Sequence, residues 1–239
     1  MKKTVVIIPT YNEIENISLI IDSLFNINLT LDVLVVDDNS PDGTSKVVKN
    51  LMDKYKKKLF LEKKDKKEGL GVAYVHGFNW ALVRNYDYIF QMDADLSHNP
   101  NELKKMTTRL DLDADVIIGS RYKNGVNVIN WPLSRILLSY IASIYVRSIT
   151  SMPIKDPTSG FVGYKKEVLV ALDINRIKFV GYAFQIEMKY KAWIKGFNLI
   201  EESIVFLNRA HGSSKMDRSI ILEAFFGVLY LRVNKRKIK

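Results

Sequence analysis

Tyr88-Ile89-Phe90-Gln91-Met92-Asp93-Ala94-Asp95 is an apolar run that ends in two carboxylates, and its reading decides the fold. The run has the length and residue types of a buried strand. Aspartates at i and i+2 leave such a strand on the same side and meet at the carboxyl edge of a sheet, where open α/β folds place ligands. Paired acidic oxygens there suit a hard divalent cation and, through it, a diphosphate. Taken alone the triplet reads equally well as a solvated turn, so its neighbours must decide.

Outward from this segment, short β-branched runs alternate with helical patterns. Strands are expected at Thr4–Pro9, Asp32–Asp37, Leu59–Glu62, Asp87–Met92 and Asp115–Gly119, mostly apolar throughout, as strands covered on both faces are. Helices are expected at Ile14–Phe25, Thr44–Lys57, Gly71–Asn85 and Pro100–Leu110; in the first, Ile17, Ile20, Ile21 and Leu24 keep the 3.6-residue period. The alternation predicts an α/β fold with a mostly parallel central sheet and crossover helices. After residue 125 the pattern changes to a long amphipathic segment, a short strand around Gly160–Tyr164, and helices near Lys165–Leu172 and Tyr182–Lys195. A strand near Asn198–Leu207 and a last apolar helix follow. No repeat or linker-like stretch interrupts the 239 residues, so the second half is expected to fold onto the first.

Lys and Arg number 36 against 26 Asp and Glu, a net charge of +10 that points to an anionic partner without choosing among nucleotide, nucleic acid and acidic membrane. The absence of cysteine excludes disulfides, thiolate chemistry and Cys-ligated zinc, and fits a reducing cytoplasm. The chain opens directly into the strand Thr4-Val5-Val6-Ile7-Ile8, with no signal-peptide pattern. No stretch reaches the roughly 18–20 uninterrupted apolar residues of a membrane span. The lysine cluster Lys54–Lys58 with Lys63–Lys67 reads as a solvated face.

Polar groups gather at the carboxyl ends of the expected strands. The first ends in Pro9-Thr10-Tyr11-Asn12-Glu13, with a ring and a carboxylate placed for a base and ribose; the second ends in Asp37-Asp38-Asn39-Ser40-Pro41-Asp42-Gly43, rich in acceptors for base edges and sugar hydroxyls. Neither the G-x-G-x-x-G turn of a dinucleotide fold nor a Walker A loop is present. A nucleotide bound without a glycine-rich cradle needs its diphosphate charge neutralised otherwise, and a metal held by Asp93 and Asp95 would do so.

Ile7-Ile8-Pro9-Thr10-Tyr11-Asn12-Glu13, Val35 to Gly43, Gly69-Leu70-Gly71 with Ala73-Tyr74, Met92 to His98, Gly119 to Tyr122, Asp156 to Phe161 and Arg209 to Lys215 together resemble a family-2, GT-A-fold glycosyltransferase. Within that family the chain is most similar to the dolichyl-phosphate, or polyprenyl-phosphate, mannosyltransferases. The resemblance runs in register from about residue 4 to about residue 215. It implies an inverting transfer of mannose from GDP-mannose to the phosphate of a polyprenyl monophosphate. By the same resemblance Pro9, Tyr11, Glu13, Asp37 or Asp38, Asp42 and Gly71 would hold the donor, with Arg209 and Lys215 on its diphosphate. Asp93 and Asp95 would hold Mg²⁺ or Mn²⁺. The family often has Gln as a further metal ligand two residues after the second aspartate, and here Ser97 stands in that place. Residues 1–215 would form the catalytic domain and 216–239 a C-terminal amphipathic helix with a basic tail.

The acceptor side follows from chemistry. Transfer to a hydroxyl needs a base to remove its proton, whereas a phosphate monoester is already anionic near pH 7 and needs cationic clamps instead. Arg121 follows the fifth expected strand directly, and Arg135 and Ser139 lie one turn apart on one helix face. These three match the positions at which the lipid mannosyltransferases bind the acceptor phosphate. Arg209, Ser213, Ser214 and Lys215 form a second candidate anion site. For each arginine the competing reading is a surface charge or a salt bridge to Asp156. Glu187, two residues from Gln185, lines the site or is structural; His76 reads as packed near the core, and Trp131 and Trp193 as packing residues or interfacial anchors.

An isoprenoid tail stays in the bilayer, so the enzyme must meet the membrane. The segments Trp131–Ile149 and Ile220–Val233 pair apolar faces with basic residues, the second running into Lys235-Arg236-Lys237, as helices lying in the headgroup plane do. The expectation is peripheral attachment on the cytoplasmic face, or attachment through a separate membrane-anchoring subunit. Two alternatives compete: a UDP-sugar donor on the same fold, and a non-catalytic nucleic-acid-binding protein. The second would interleave basic residues with exposed aromatics, leaves the aspartates unexplained, and is set aside: no nucleic-acid partner is expected.

Overall fold

The computed structural model describes residues 2–209 and 218–235. Five β-strands and four helices alternate through the first half: β1 (Thr4–Thr10), α1 (Ile17–Asn26), β2 (Asp32–Asp37), α2 (Thr44–Lys54), β3 (Leu59–Lys63), α3 (Leu70–Val83), β4 (Tyr88–Gln91), α4 (Glu102–Leu112) and β5 (Val116–Ser120). The second half adds β6 (Val128–Ile129), α5 (Leu133–Thr150), β7 (Val162–Lys165), α6 (Lys166–Ala171), α7 (Ala183–Ile194), β8 (Leu199–Ser203), β9 (Phe206–Leu207) and α8 (Arg218–Val233). The main sheet has the order β3-β2-β1-β4-β7-β5-β8. All its pairings are parallel except those of β7, which runs antiparallel between β4 and β5.

Both faces of the sheet are covered, as the unbroken apolar strands require. Val6, Ile8, Val33 and Val35 pack against Ile17, Ile20, Ile21 and Leu24 of α1, Val48 of α2 and Leu103, Met106 and Leu110 of α4. On the other face Val5, Ile7, Leu34 and Val36 meet Ala73, Tyr74 and Phe78 of α3, and the same core takes in Phe184, Ile186 and Tyr190 of α7. The inserted β7 fits because residue 163 has no side chain: a Cβ on Gly163 would lie 2.3 Å from the Phe90 ring. The first-half elements agree with the sequence expectation to within a few residues. The expected single strand Asn198–Leu207 is instead two strands in different sheets, because the chain turns inward at the buried Ile204; β9 pairs with the short β6, which the sequence did not reveal.

Helix α5 is inverted with respect to an ordinary surface helix. It buries Ser143, Val146 and Thr150 and leaves Leu133, Leu137, Leu138, Tyr140, Ile141 and Ile144 exposed. Helix α8 packs beside it, with Tyr145 stacked on Phe225 at 4.9 Å and its hydroxyl donating to the Phe225 carbonyl. Val228 and Leu231 join the main core, while Leu222, Phe225, Phe226, Leu229, Tyr230 and Val233 stay exposed. Among the described residues no helix is long and apolar enough to cross a membrane.

Candidate active site

The carboxyl ends of β1, β2 and β4 open on the same edge of the sheet, and the turn after β4 carries Asp93 and Asp95. Leu96 adopts a positive φ of 62°, which turns the chain sharply back after the triplet. Asp95 is buried and accepts from the backbone N–H and the hydroxyl of Ser97, at 3.1 and 2.5 Å, and its Oδ2 lies 3.4 Å from Nη2 of Arg209. Asp93 is half-buried and accepts a long bond, 3.5 Å, from the Tyr74 hydroxyl. Burial and then the Asp95 charge push its carboxyl up to about 7. An acidic pair in which burial and the neighbouring charge push the Asp93 carboxyl up is chemically fitted to a divalent cation, which would relieve the repulsion. Ser97 directs its hydroxyl proton onto Asp95 and therefore orients that carboxylate. Among the described residues no group of three His, Asp or Glu side chains converges as a cation site.

The expected donor residues divide into builders of the loops and residues open to a ligand. Asp37 is fully buried and accepts from the Thr10 hydroxyl, the Ser40 N–H and hydroxyl, and the Ser45 hydroxyl, so its oxygens tie β1, β2 and α2 together. Asp42 accepts from Ile14 N–H and from the N–H and hydroxyl of Thr44; burial works against its ionisation, but these bonds hold its carboxyl below the ordinary value. Asp38 meets the Lys64 ammonium at 3.1 Å and the Glu68 N–H at 3.3 Å. Tyr11 is half-buried with Lys67 over its ring, Glu13 accepts from the Asn16 amide, and Pro9 is half-buried at the end of β1. Gly71 packs closely: its N–H donates to the Val180 carbonyl, and a Cβ there would lie 2.8 Å from the Phe179 carbonyl oxygen. Lys215, Ser213, Ser214 and His211 lie outside the described residues.

Arg121 leaves β5 into a buried ion pair. Its Nε and Nη2 reach the two oxygens of Asp156 at 2.7 and 2.6 Å, and Nη2 also donates to the Thr158 hydroxyl. The salt bridge to Asp156, one of the two readings open from the sequence, is thus made; the remaining Nη1 is the part of the fork not used in these bonds. Burial would lower the Arg121 pKa, but Asp156 beside it reverses that and holds it above the ordinary value. Arg135 lies 3.9 Å over the Trp131 ring and donates to Asn208. Burial, followed by the nearby Arg209 and with a smaller share from Arg121, pulls Arg135 below its ordinary value, so three guanidiniums crowd one region. Ser139 accepts from the Tyr122 hydroxyl at 2.8 Å.

Three groups that the sequence reading left out or left open are defined by their partners in the structure. Tyr182, just before α7, is held above its ordinary value by burial and then by Asp93, and it also feels Arg209, Arg121 and Arg135. Lys189, without exposed surface, donates to the carbonyls of Ser159 and Gln185 and so fixes the Asp156–Phe161 loop to α7; burial brings it down to about 7. Glu187 is structural: it accepts from the N–H groups of Lys178 and Phe179 and pairs with Lys191 at 2.7 Å. His76 departs from the expected core position, being half-exposed and 3.1 Å from Glu62, because its helix position faces the edge strand β3. His98 is the buried histidine, stacked on Phe161 and kept neutral by burial, which brings it down to about 4.

Comparison with known proteins agrees with this architecture. Residues 5–172 match the model of glycosyl transferase family 2. The chain is 42% identical to the polyprenol monophosphomannose synthase of Mycolicibacterium smegmatis over 95% of its own length and 86% of that protein's. It is 38% identical to the undecaprenyl-phosphate mannosyltransferase of Micrococcus luteus, over 95% and 92% of the two chains. Among solved structures, glucosyl-3-phosphoglycerate synthase from Mycobacterium tuberculosis, in complex with Mn²⁺, UDP and phosphoglyceric acid, superposes with a TM-score of 0.71 at 14% identity, covering 97% of this chain and 78% of that one. The shared fold is the GT-A fold. With the family model spanning most of the sheet and two relatives matching nearly end to end, the chain belongs to glycosyl transferase family 2.

Proposed function

We propose that the protein transfers mannose from GDP-mannose to the phosphate of a polyprenyl monophosphate, with inversion at the anomeric carbon. The observation that carries this reading is the meeting, at one sheet edge, of an acidic pair and a cluster of three arginines beside an outward-facing apolar helix. The names of the two similar mannosyltransferases supply the sugar and the lipid class.

The residues divide the work. Tyr11, Glu13 and the Asp38 region receive the nucleoside at the ends of β1 and β2. Asp93 and Asp95 face the diphosphate and would hold Mg²⁺ or Mn²⁺. When bound, the ion draws negative charge from the leaving diphosphate. Arg209, already paired with Asp95, is placed to move onto the diphosphate. The acceptor phosphate is drawn by Arg121 Nη1 and Arg135, and Ser139 presents a hydroxyl beside them. An anionic oxygen of the acceptor phosphate attacks the anomeric carbon as the bond to the diphosphate breaks, so no proton has to be removed and no carboxylate base is required. Glu187, fully engaged with backbone, does not serve as one.

The lipid tail is accommodated by the membrane. The exposed apolar stripe of α5 begins two residues after Trp131 and contains the turn that bears Arg135, so a headgroup at Arg135 leaves its tail beside Leu137, Leu138 and Ile141. Together with α8 this face lies on the bilayer as a peripheral surface, directly or beside an anchoring subunit. The test is transfer of labelled sugar from GDP-mannose and, in parallel, UDP-glucose to a short polyprenyl phosphate with Mg²⁺, Mn²⁺ or EDTA. Metal-dependent lipid product from GDP-mannose alone is expected. Product from UDP-glucose alone would overturn the donor.

A further inference from the structure

Gln185, in the first turn of α7, is 2% exposed, and neither its Nε2 nor its Oε1 has a hydrogen-bond partner among the described residues. A buried amide left wholly unpaired lowers stability and calls for an explanation. The backbone around it is secured by other means: Lys189 Nζ holds the Gln185 carbonyl and the Ser159 carbonyl together, and Glu187 caps the preceding loop. The side-chain amide has no part in that support.

Its surroundings identify what is missing. The space that a Cβ on Gly160 would enter is bounded by Asp93, with its oxygens at 3.6 and 3.8 Å, and by Gln185 Nε2 at 3.9 Å. Gly160 ends the loop whose Thr158 receives a hydrogen bond from Arg121. The amide and Asp93 therefore border one space beside the Asp156–Phe161 loop, the loop that also receives Arg121 through Thr158. In the transfer proposed above, the broken and the formed bonds share the anomeric carbon, so the sugar itself must occupy the ground between the two phosphates. An amide offers both donor and acceptor and cannot take up a proton, which suits a neutral hydroxyl and not the task of a base.

We propose that Gln185 hydrogen-bonds a ring hydroxyl of the donor sugar and is a specificity-determining residue of the site. This rests on the glycosyl-transfer reading. A site built to pair with a hydroxyl rejects a ligand that leaves the pair unmade far more strongly than an apolar pocket would.

The test uses the full chain and two variants, Gln185→Leu and Gln185→Asn, titrated calorimetrically with GDP, GDP-mannose and GDP-glucose in the presence of Mn²⁺. In Gln185→Leu the affinity for GDP-mannose is expected to fall about tenfold or more relative to that for GDP, while GDP binding stays within about twofold. The preference for GDP-mannose over GDP-glucose is expected to shrink toward parity, and the Tm not to fall. Equal losses for GDP and GDP-mannose would show a packing role and overturn the proposal, as would unchanged affinity for all three ligands. If the leucine variant fails to fold, Gln185→Asn, which keeps the amide but withdraws it by one methylene, provides the same comparison. A wild-type protein that gains nothing from the mannose of GDP-mannose would instead overturn the donor reading. The comparison of UDP with UDP-glucose then tests Gln185 separately.

Discussion

Replacing Asp156 by Asn cuts the buried ion pair that holds Arg121 in place. Asp156 has no exposed surface, and it accepts from Arg121 Nε, Nη2 and backbone N–H and from the Thr158 hydroxyl. Burial pushes its carboxyl up, but the Arg121 charge and hydrogen bonds outweigh that and hold it below the ordinary value. Leaving one member of such a pair buried and uncompensated costs about 3–5 kcal/mol. The asparagine keeps part of the hydrogen bonding, so about 3 kcal/mol is expected, or a fall in Tm of about 6–12 °C for a chain of this size. Because the folded-state pKa is depressed, the contribution of Asp156 is complete above its unfolded value and is lost as pH falls through the folded one. The gap between wild type and Asp156→Asn should therefore be full at pH 7 and close in acid. Thermal unfolding from pH 7 down to pH 3 measures this, and the double variant Asp156→Asn with Arg121→Met should recover part of the loss by removing the stranded charge. A Tm at pH 7 within 2 °C of wild type, or strictly additive single losses, would refute the pair as the clamp on Arg121.

Three further outcomes follow from the same geometry. Asp93, pushed up by burial and Asp95, binds its proton more tightly folded than unfolded, so its cost to folding builds as pH rises from its unfolded value and is complete above about 7; in EDTA, Asp93→Asn should raise stability at pH 8 by ~1–2 kcal/mol, with the advantage vanishing toward pH 4, as thermal melts would show. Glu187→Ala, which strands the Lys178 and Phe179 N–H groups, should lower stability by about 2–4 kcal/mol, and chemical denaturation would expose a smaller effect. Leu137→Glu combined with Ile141→Glu, both on the exposed face of α5, should lower flotation with anionic vesicles by about tenfold or more while leaving the far-UV spectrum unchanged.

The first half of the fold was legible because its strands are apolar on both faces and its helices keep a clean period, as Ile17, Ile20, Ile21 and Leu24 do. The direction and place of β7 were not, since strand patterning reports burial and not pairing; the clue was Gly163, the one residue that allows Phe90 across the ladder. The split of Asn198–Leu207 was hidden because both pieces look like strand and only tertiary pairing separates them. At the site, Asp93 and Asp95 were visible from their strand end. Local sequence could not show that Asp37 and Asp42 would be engaged in building the loops, nor that Ser97 would turn its hydroxyl onto Asp95. Gln185 drew notice only as the neighbour of Glu187, and Lys189 none, for a different reason: their significance lies in what surrounds them, and a helix sequence does not state that.

The central claim is that the acceptor is an anion clamped by arginines and attacks without a base. The most direct measurement compares one polyprenyl chain presented as the monophosphate and as the free alcohol, with GDP-mannose and a divalent metal. Transfer to the phosphate alone, lost in Asp95→Ala and reduced at least tenfold in Arg135→Ala, is the predicted result. Transfer to the alcohol at a comparable rate would contradict it, because a hydroxyl acceptor needs a base to take its proton.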